Sequence, residues 1–265
     1  MAELLAHPAV QGGIAPFVVA LVVVLLLQPL RLAGLAISAA FVAAMYLAVG
    51  IQFTPLNALR KILILALAAP LVGVLVDFAF KPTRVGAALL ALAAGAAALW
   101  VFWPVLASKP PQEAWLRGGV VVGSAVLMTI SMQPGDAIRA GAGELALGLG
   151  VGAAAILGAT LTYGIYGTAI GAAAGAFLLP QMLSGKRRTA GATFCFPAAL
   201  LPALVGGAAV LLAELQLYCL AILALVPLAA RLPGPKGAVW LKAVIFSLYG
   251  FVVAGIACYL AWPKS

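Results

Sequence analysis

Residues 143–183 read GELALGLGVGAAAILGATLTYGIYGTAIGAAAGAFLLPQML, a run of 41 residues in which no charged residue follows Glu144. A transmembrane helix needs about 20 mostly apolar residues, so this run is long enough for two successive spans. Its glycines and alanines are small enough for helices in lipid to approach one another closely. The stretch therefore predicts a helical membrane protein, with a turn between two spans near residues 163–167.

The composition of the whole chain indicates the same environment. Of its 265 residues, 66% are hydrophobic and only 8% are charged, whereas a soluble domain carries about 25% charged residues. The formal net charge of +9 is typical of Lys and Arg in the loops between spans, so we expect no nucleic-acid partner. The chain is expected to form a single membrane domain over residues 1–265, surrounded by the lipid bilayer.

Apolar runs along the chain predict about ten transmembrane helices. Residues 13–51 are interrupted at 28–31, which predicts a tight helical hairpin, and residues 143–183 supply two more spans. The other runs of spanning length are 60–80, 85–107, 116–133, 191–213 and 239–262, with 215–231 slightly short. Eight spans is the alternative, if each of the two long runs holds one tilted or broken helix. Either count predicts an all-α polytopic integral membrane protein.

The placement of basic residues favours ten spans and gives them an orientation. With the N-terminus outside, nine Lys and Arg residues fall in cytoplasmic loops and five on the other face, in the direction of the positive-inside rule. The nine are Arg31, Lys81, Arg84, Arg139, Lys186, Arg187, Arg188, Arg231 and Lys236, and the five are Arg60, Lys61, Lys109, Arg117 and Lys264. We expect both termini outside and a bacterial cytoplasmic (inner) membrane as the location.

A weak internal repeat is visible at an offset of 125 residues (240 − 115). At this offset Trp115 maps onto Trp240, and a proline, a leucine and a basic residue beside each tryptophan match as well. The match predicts two related halves, 1–133 and 134–265. Five spans in each half would make the halves inverted, whereas four would make them parallel. The alternative is that both tryptophans are ordinary interfacial anchors.

Motifs of known enzymes are missing from the sequence. There is no HExxH, nucleophile elbow or phosphate-binding loop, and the single histidine, His7, lies outside the predicted spans. Cys195, Cys219 and Cys258 lie in apolar runs without CxxC spacing, as is typical of small core residues. We therefore expect no catalytic residue, no metal site and no cofactor, and we do not expect an enzyme.

Acidic residues near or within the spans are candidates for an ion or substrate site. Asp77 lies four residues before Lys81; it either pairs with that lysine or binds a cation or proton, since acids at membrane depth are costly and usually functional. Glu214, at the end of an apolar stretch, either sits at the interface or faces a cavity. Glu144 is expected to cap the start of its span, and Asp136 to form a local salt bridge in a turn with Arg139.

Glycines between residues 164 and 180 allow two interpretations. Gly167, Gly171 and Gly175 are spaced by four, so they share one helix face and form a groove for a neighbouring helix. Alternatively, residues 164–180 form a broken helix, whose freed backbone groups bind substrate next to Tyr163 and Tyr166. Prolines within other apolar runs, above all Pro70 and Pro202, are candidates for hinged or discontinuous helices, because proline removes an intrahelical hydrogen bond.

These features predict a permease that moves a small molecule or ion by alternating access of two related halves. The candidate site residues are Asp77, Glu214, Tyr163, Tyr166, Gly167, Gly171, Pro70 and Pro202. The alternative is a non-catalytic subunit that scaffolds a larger membrane complex, since packing faces of small residues and few polar residues suit that role equally well. A homo-oligomer is compatible with the permease. A lipid-modifying membrane enzyme is a third interpretation, but nothing supplies its nucleophile or metal.

Overall fold

The computed structural model describes residues 6–28, 30, 32–79, 84–132, 135–186 and 189–263. In this part of the chain, eight helices are long and apolar enough to cross a membrane. The helices are α1 (Ala15–Leu27, continuing a π-helical turn at Val10–Ile14), α2 (Leu35–Ala48), α3 (Ala58–Ala79), α4 (Arg84–Ala107), α5 (Pro111–Met132), α6 (Ala137–Gly158), α7 (Leu161–Ser184), α8 (Ala192–Leu212), α9 (Leu217–Leu223), α10 (Val226–Ala229) and α11 (Val239–Ala261). The prediction of an all-α polytopic membrane protein is confirmed.

The short helix α2 also runs through the depth of the bundle. At its start, Gly34 lies directly against the backbone of Phe194, at the start of α8. Near its other end, the carbonyl of Leu47 accepts a hydrogen bond of 3.0 Å from Nε2 of Gln11, at the start of the first helix. We call the end of the bundle where α8 begins the proximal end, and the other the distal end.

The short pair α9–α10 runs through the bundle in the same way, alongside α6. Leu215 contacts Gly158 at the distal end of α6, and Ala230 contacts Gly143 near its proximal end. Over the described residues the chain therefore traverses the bundle ten times, eight of them in helices of full spanning length. Residues 143–183 hold parts of two helices, α6 and α7, and residues 13–51 hold α1 and α2, as the ten-span prediction requires. The count of eight full-length spans arises for a different reason than the eight-span alternative gave, because α2 and the pair α9–α10 are short.

The core of the bundle is α8. In its most apolar window 94% of the residues are buried, against 28% in the first helix. It packs against α3, α5, α6 and α7. The peripheral helices turn large apolar side chains outward, among them Leu26, Leu71, Leu92 and Val252. So much exposed apolar surface is suited to hydrocarbon rather than water.

Glycine contacts hold α6 and α7 together as an antiparallel pair. A Cβ on Gly152 would lie 2.6 Å from the backbone nitrogen of Thr168, and one on Gly148 would collide with the backbone of Gly171. Small residues at such positions let two helix backbones touch, which is how membrane helices gain dispersion energy. The packing interpretation of the glycine spacing is thus confirmed.

Two expectations for this helix pair are wrong. The turn lies at Ala159 and Thr160, not near residues 163–167, and α7 continues without a break from Leu161 through Pro180 to Ser184. Because Gly164, Gly167 and Gly171 pack against α6, they serve a helix interface and do not interrupt the helix.

Prolines lie inside helices that remain continuous. Pro70 lies within α3, Pro104 within α4, and Pro197 and Pro202 within α8. A discontinuous helix at Pro70 or Pro202 is therefore ruled out, because neighbouring turns keep the helical path, whereas a hinge at either proline stays a prediction. Each proline still leaves the carbonyl four residues before it without its helical donor.

Basic residues are segregated as the sequence predicted, as far as the structure describes them. Arg139, Lys186, Arg231 and Lys236 belong to the proximal end, whereas Arg60, Lys61, Lys109 and Arg117 belong to the distal end. Arg31, Lys81, Arg187, Arg188 and Lys264, and the side chain of Arg84, lie outside the described residues. A two-residue antiparallel pairing, β1 (Gly135–Asp136) with β2 (Thr189–Ala190), joins two loops at the proximal end.

Candidate functional site

Asp77, in the last turn of α3, caps the N-terminus of α8. Its Oδ1 accepts a hydrogen bond from the backbone nitrogen of Ala192 at 2.7 Å. Its Oδ2 accepts one from the nitrogen of Thr193 at 2.8 Å and another from the Thr193 hydroxyl at 2.6 Å. Helix N-termini carry unpaired N–H groups and a partial positive charge, both of which a carboxylate satisfies. We call these three residues the α8 cap.

Small residues around the α8 cap permit this close approach. A Cβ on Gly73, one turn before Asp77, would lie 2.6 Å from Cα of Thr193, and one on Gly191 would collide with the Asp77 carboxylate. The predicted partner Lys81 lies outside the described residues. Both Asp77 oxygens accept hydrogen bonds from α8, so the carboxylate joins α3 to α8 across more than a hundred residues of sequence.

Glu144 is the buried acid for which the structure offers no partner. It lies two turns inside α6, has no exposed surface, and neither of its carboxyl oxygens has a hydrogen-bond partner among the described residues. The expectation that it caps its helix is wrong, because α6 begins earlier. Asp136 is the cap, with Oδ1 accepting from the nitrogen of Ile138 at 3.1 Å.

Contacts between α6 and α7 place Glu144 along the bundle. Gly148 lies against Gly171, and Gly141 against Leu178. Glu144 is one helical turn from Gly148, so it shares the face of α6 that meets α7 and lies opposite residues 174–176. The carboxyl group therefore lies at the interface between α6 and α7.

Pro180 adds a second polar feature at this depth of α7. Proline has no N–H, so the carbonyl of Ala176 receives no helical hydrogen bond from position 180. Ala176 has no exposed surface and lies at the level of Glu144 by the register above. A carboxyl group and a carbonyl freed from its helix are the kinds of ligand that hold protons and hard cations in membrane proteins.

Other buried polar side chains also lack hydrogen-bond partners within the described residues. Tyr166 has no exposed surface, its ring contacts that of Phe41 at a centroid distance of 5.7 Å, and its hydroxyl has no partner. The other buried hydroxyls without a partner among the described residues are those of Ser38 on α2 and of Thr129 and Ser131 on α5. Tyr163 is only half-buried. Unsatisfied polar groups are rare in folded proteins and call for an explanation.

Glu214 does not face a cavity. It is exposed in the turn between α8 and α9, with a left-handed backbone φ of 61°. A cavity of about 410 Å³ at this distal end is lined by its neighbours Leu215 and Gln216, but not by Glu214. The structure thus places Asp77 and Glu144 toward the proximal side of the bundle, and leaves Glu214 at the opposite end.

No cluster of three or more His, Cys, Asp or Glu residues suited to a metal ion occurs in the described part of the chain. No protein-family model matches the sequence, and no curated protein matches it.

Proposed function

We propose that this protein is a permease, in which Glu144 carries a proton or another cation that moves with, or against, a small solute. The observation that supports the proposal is a carboxyl group with no exposed surface and no described partner, inside a membrane bundle. An unpaired negative charge is unstable in such surroundings, so a proton or a cation has to accompany it. Acids placed in this way mark proton relays and ion paths in transporters.

The arrangement of helices is compatible with alternating access. Residues 1–133 contribute five traverses and residues 134–265 another five, so α1 and α6, the first helices of the two halves, run in opposite directions. α2 and α7 begin 126 residues apart (161 − 35), and α5 and α11 begin 128 apart (239 − 111), close to the offset of 125 in the sequence. We propose that the halves are inverted repeats that rock against each other.

The solute is proposed to be small and able to form hydrogen bonds. Support comes from the hydroxyls of Ser38, Thr129, Ser131 and Tyr166, which have no partner among the described residues and lie on three helices inside the bundle. We assign the proximal end to the cytoplasm of a bacterium, because the four basic residues named there belong to the nine that the sequence predicts in cytoplasmic loops, against five on the other face.

Purified protein in liposomes loaded with a pH-sensitive dye tests the proposal. A panel of amino acids, carboxylic acids, sugars and monovalent cations would be added outside, and proton or charge movement recorded. We expect at least one class of solute to cause proton or charge movement across the membrane in the wild type. The control variant Glu113→Gln should behave in the same way, since Glu113 is a surface acid paired with Lys109 and Arg117. Glu144→Gln should abolish the coupled movement.

Two outcomes would overturn the proposal. Equal activity of wild type and Glu144→Gln would remove Glu144 from the mechanism. Absence of movement across the panel, together with purification of a second protein in fixed stoichiometry, would favour the scaffold subunit instead.

A further inference from the structure

Lys61, at the distal end, is a buried cation next to a cavity that faces outward. Its side chain lies in the first turn of α3 and only 8% of the residue is exposed. The cavity of about 310 Å³ beside it is lined by Lys61, Leu99, Trp100, Trp103 and Pro104. These are residues of α3 and α4 only, and the cavity is separate from the region of Glu144.

Among the described residues, the ammonium group of Lys61 has one hydrogen-bond acceptor. Nζ donates to the backbone oxygen of Trp100 at 2.9 Å and lies 5.0 Å from the centre of the Trp100 ring. That oxygen is the one that Pro104 leaves without a helical donor, so the lysine replaces the missing bond. An ammonium group has three donors, so two are available to a ligand in the cavity.

Positive charge at this point is not balanced within the described residues. The first turn of α3 contains no acidic residue, and the positive end of its helix dipole adds to the charge of Lys61. The recorded ion pairs join Glu113 to Lys109 and Arg117, and neither includes Lys61. A cation buried this far without an anion is unfavourable, and an anionic ligand would correct the imbalance.

The remaining lining indicates where such an anion comes from. Leu99 and Trp103 are 41% and 63% exposed on the outer surface of the bundle, where hydrocarbon surrounds the protein. Trp100 lies seven residues before the end of α4, which is about 10 Å below the helix end. Tryptophan is enriched near the membrane interface, where lipid phosphates lie. A soluble anion would have to enter an apolar lining, whereas a lipid of the surrounding bilayer meets this outward-facing cavity directly.

We propose that Lys61, Trp100 and Trp103 form a binding site for one anionic phospholipid, whose phosphate contacts the Lys61 ammonium and whose acyl chain lies along Leu99 and Trp103. A zwitterionic lipid carries its own cation beside the phosphate, so the site selects lipids with net negative charge. The lipid stabilises the junction between α3 and α4 at the distal end.

Delipidated protein titrated with phosphatidylglycerol, phosphatidylcholine or inorganic phosphate tests the site, with bound lipid counted by native mass spectrometry and thermal unfolding recorded in parallel. We expect phosphatidylglycerol to bind at least tenfold more tightly than phosphatidylcholine, and Lys61→Gln to remove about tenfold or more of that affinity, as for one charge-assisted hydrogen bond. Lys109→Gln, in which the lost cation is already paired with Glu113, should bind as the wild type does.

A purely structural lysine would behave differently. If Lys61 served only the Trp100 carbonyl, Lys61→Gln would lower thermal stability equally with and without phosphatidylglycerol, and lipid affinity would stay that of the wild type. If Lys61→Gln does not fold, Trp103→Ala removes one wall of the cavity and should weaken phosphatidylglycerol binding. Equal binding of the two lipids, unchanged affinity in Lys61→Gln or Trp103→Ala, or competition by inorganic phosphate at equal concentration would overturn the proposal.

Discussion

Asp77 and Glu144 are two carboxyl groups toward the proximal side of the same bundle, and their surroundings are opposite. Asp77 is partly buried and accepts three hydrogen bonds from the start of α8. Glu144 is completely buried and accepts none from the described residues. Burial alone therefore does not explain the structural role of Asp77 or the role proposed for Glu144. The hydrogen-bond donors around each carboxyl group distinguish the two.

The largest change in the free energy of unfolding is expected from Asp77→Ala. The change leaves two backbone N–H groups and the Thr193 hydroxyl without their acceptor, and it removes a negative charge from the N-terminus of α8. Loss of a hydrogen-bonded buried charge should lower the free energy of unfolding by about 3 kcal/mol. Thermal or denaturant unfolding in mild detergent measures it. A loss below about 1 kcal/mol would contradict the role of Asp77 as the α8 cap.

Gly148→Ala should disturb the helix pair that holds Glu144. The new methyl group would collide with the backbone of Gly171, and overpacking of this kind costs about 2 kcal/mol. Gly123→Ala is the control, since a Cβ there meets nothing within 4 Å and should leave stability unchanged or slightly higher. If the two variants unfold alike, α6 and α7 are not as closely packed as described.

Glu144→Leu should change the free energy of unfolding in the opposite direction to Asp77→Ala. Replacing an unsatisfied buried acid by an apolar side chain of similar length should raise the free energy of unfolding by about 1 kcal/mol, while coupled transport is lost. Gains in stability with loss of activity are typical of functional sites. Unfolding and the liposome measurement on the same preparation check both parts. A destabilisation above about 2 kcal/mol would show that Glu144 has a partner.

Thr193→Val should cause a small loss of stability and tests how much the Thr193 hydroxyl contributes to the α8 cap. The hydroxyl is lost, but the backbone nitrogen of Thr193 still donates to Asp77. The free energy of unfolding should fall by about 1 kcal/mol, the usual value of one hydrogen bond. In an Asp77→Ala background the same substitution should have almost no further effect, because the two groups act as one unit.

The membrane environment and most helices could be predicted from the sequence, because spanning length and the absence of charge are local properties. The hairpin break at residues 28–31 is an example, since α1 ends at Leu27 and α2 begins at Leu35. The turn after α6 was misplaced by about four residues, because glycine marks turns in soluble proteins but helix interfaces in lipid.

The candidate site was less predictable. Asp77 was identified as a candidate, but its donors are more than a hundred residues away and no local pattern indicates them. Glu144 was interpreted as a helix cap because Asp136 and Arg139 made the preceding residues resemble a loop. The available signal was Asp136 itself, since aspartate is a preferred N-cap residue. With the helix starting at Ala137, Glu144 falls two turns inside it.

The enclosure of α8 has a consequence for biosynthesis. Apart from the short α9, the helices packed against it all precede it in the chain, so they leave the ribosome first. α8 is apolar enough to enter lipid by itself, and membrane helices insert before they associate. The earlier helices are therefore expected to leave a gap into which α8 moves sideways from the bilayer, before α9, α10 and α11 pack against the bundle.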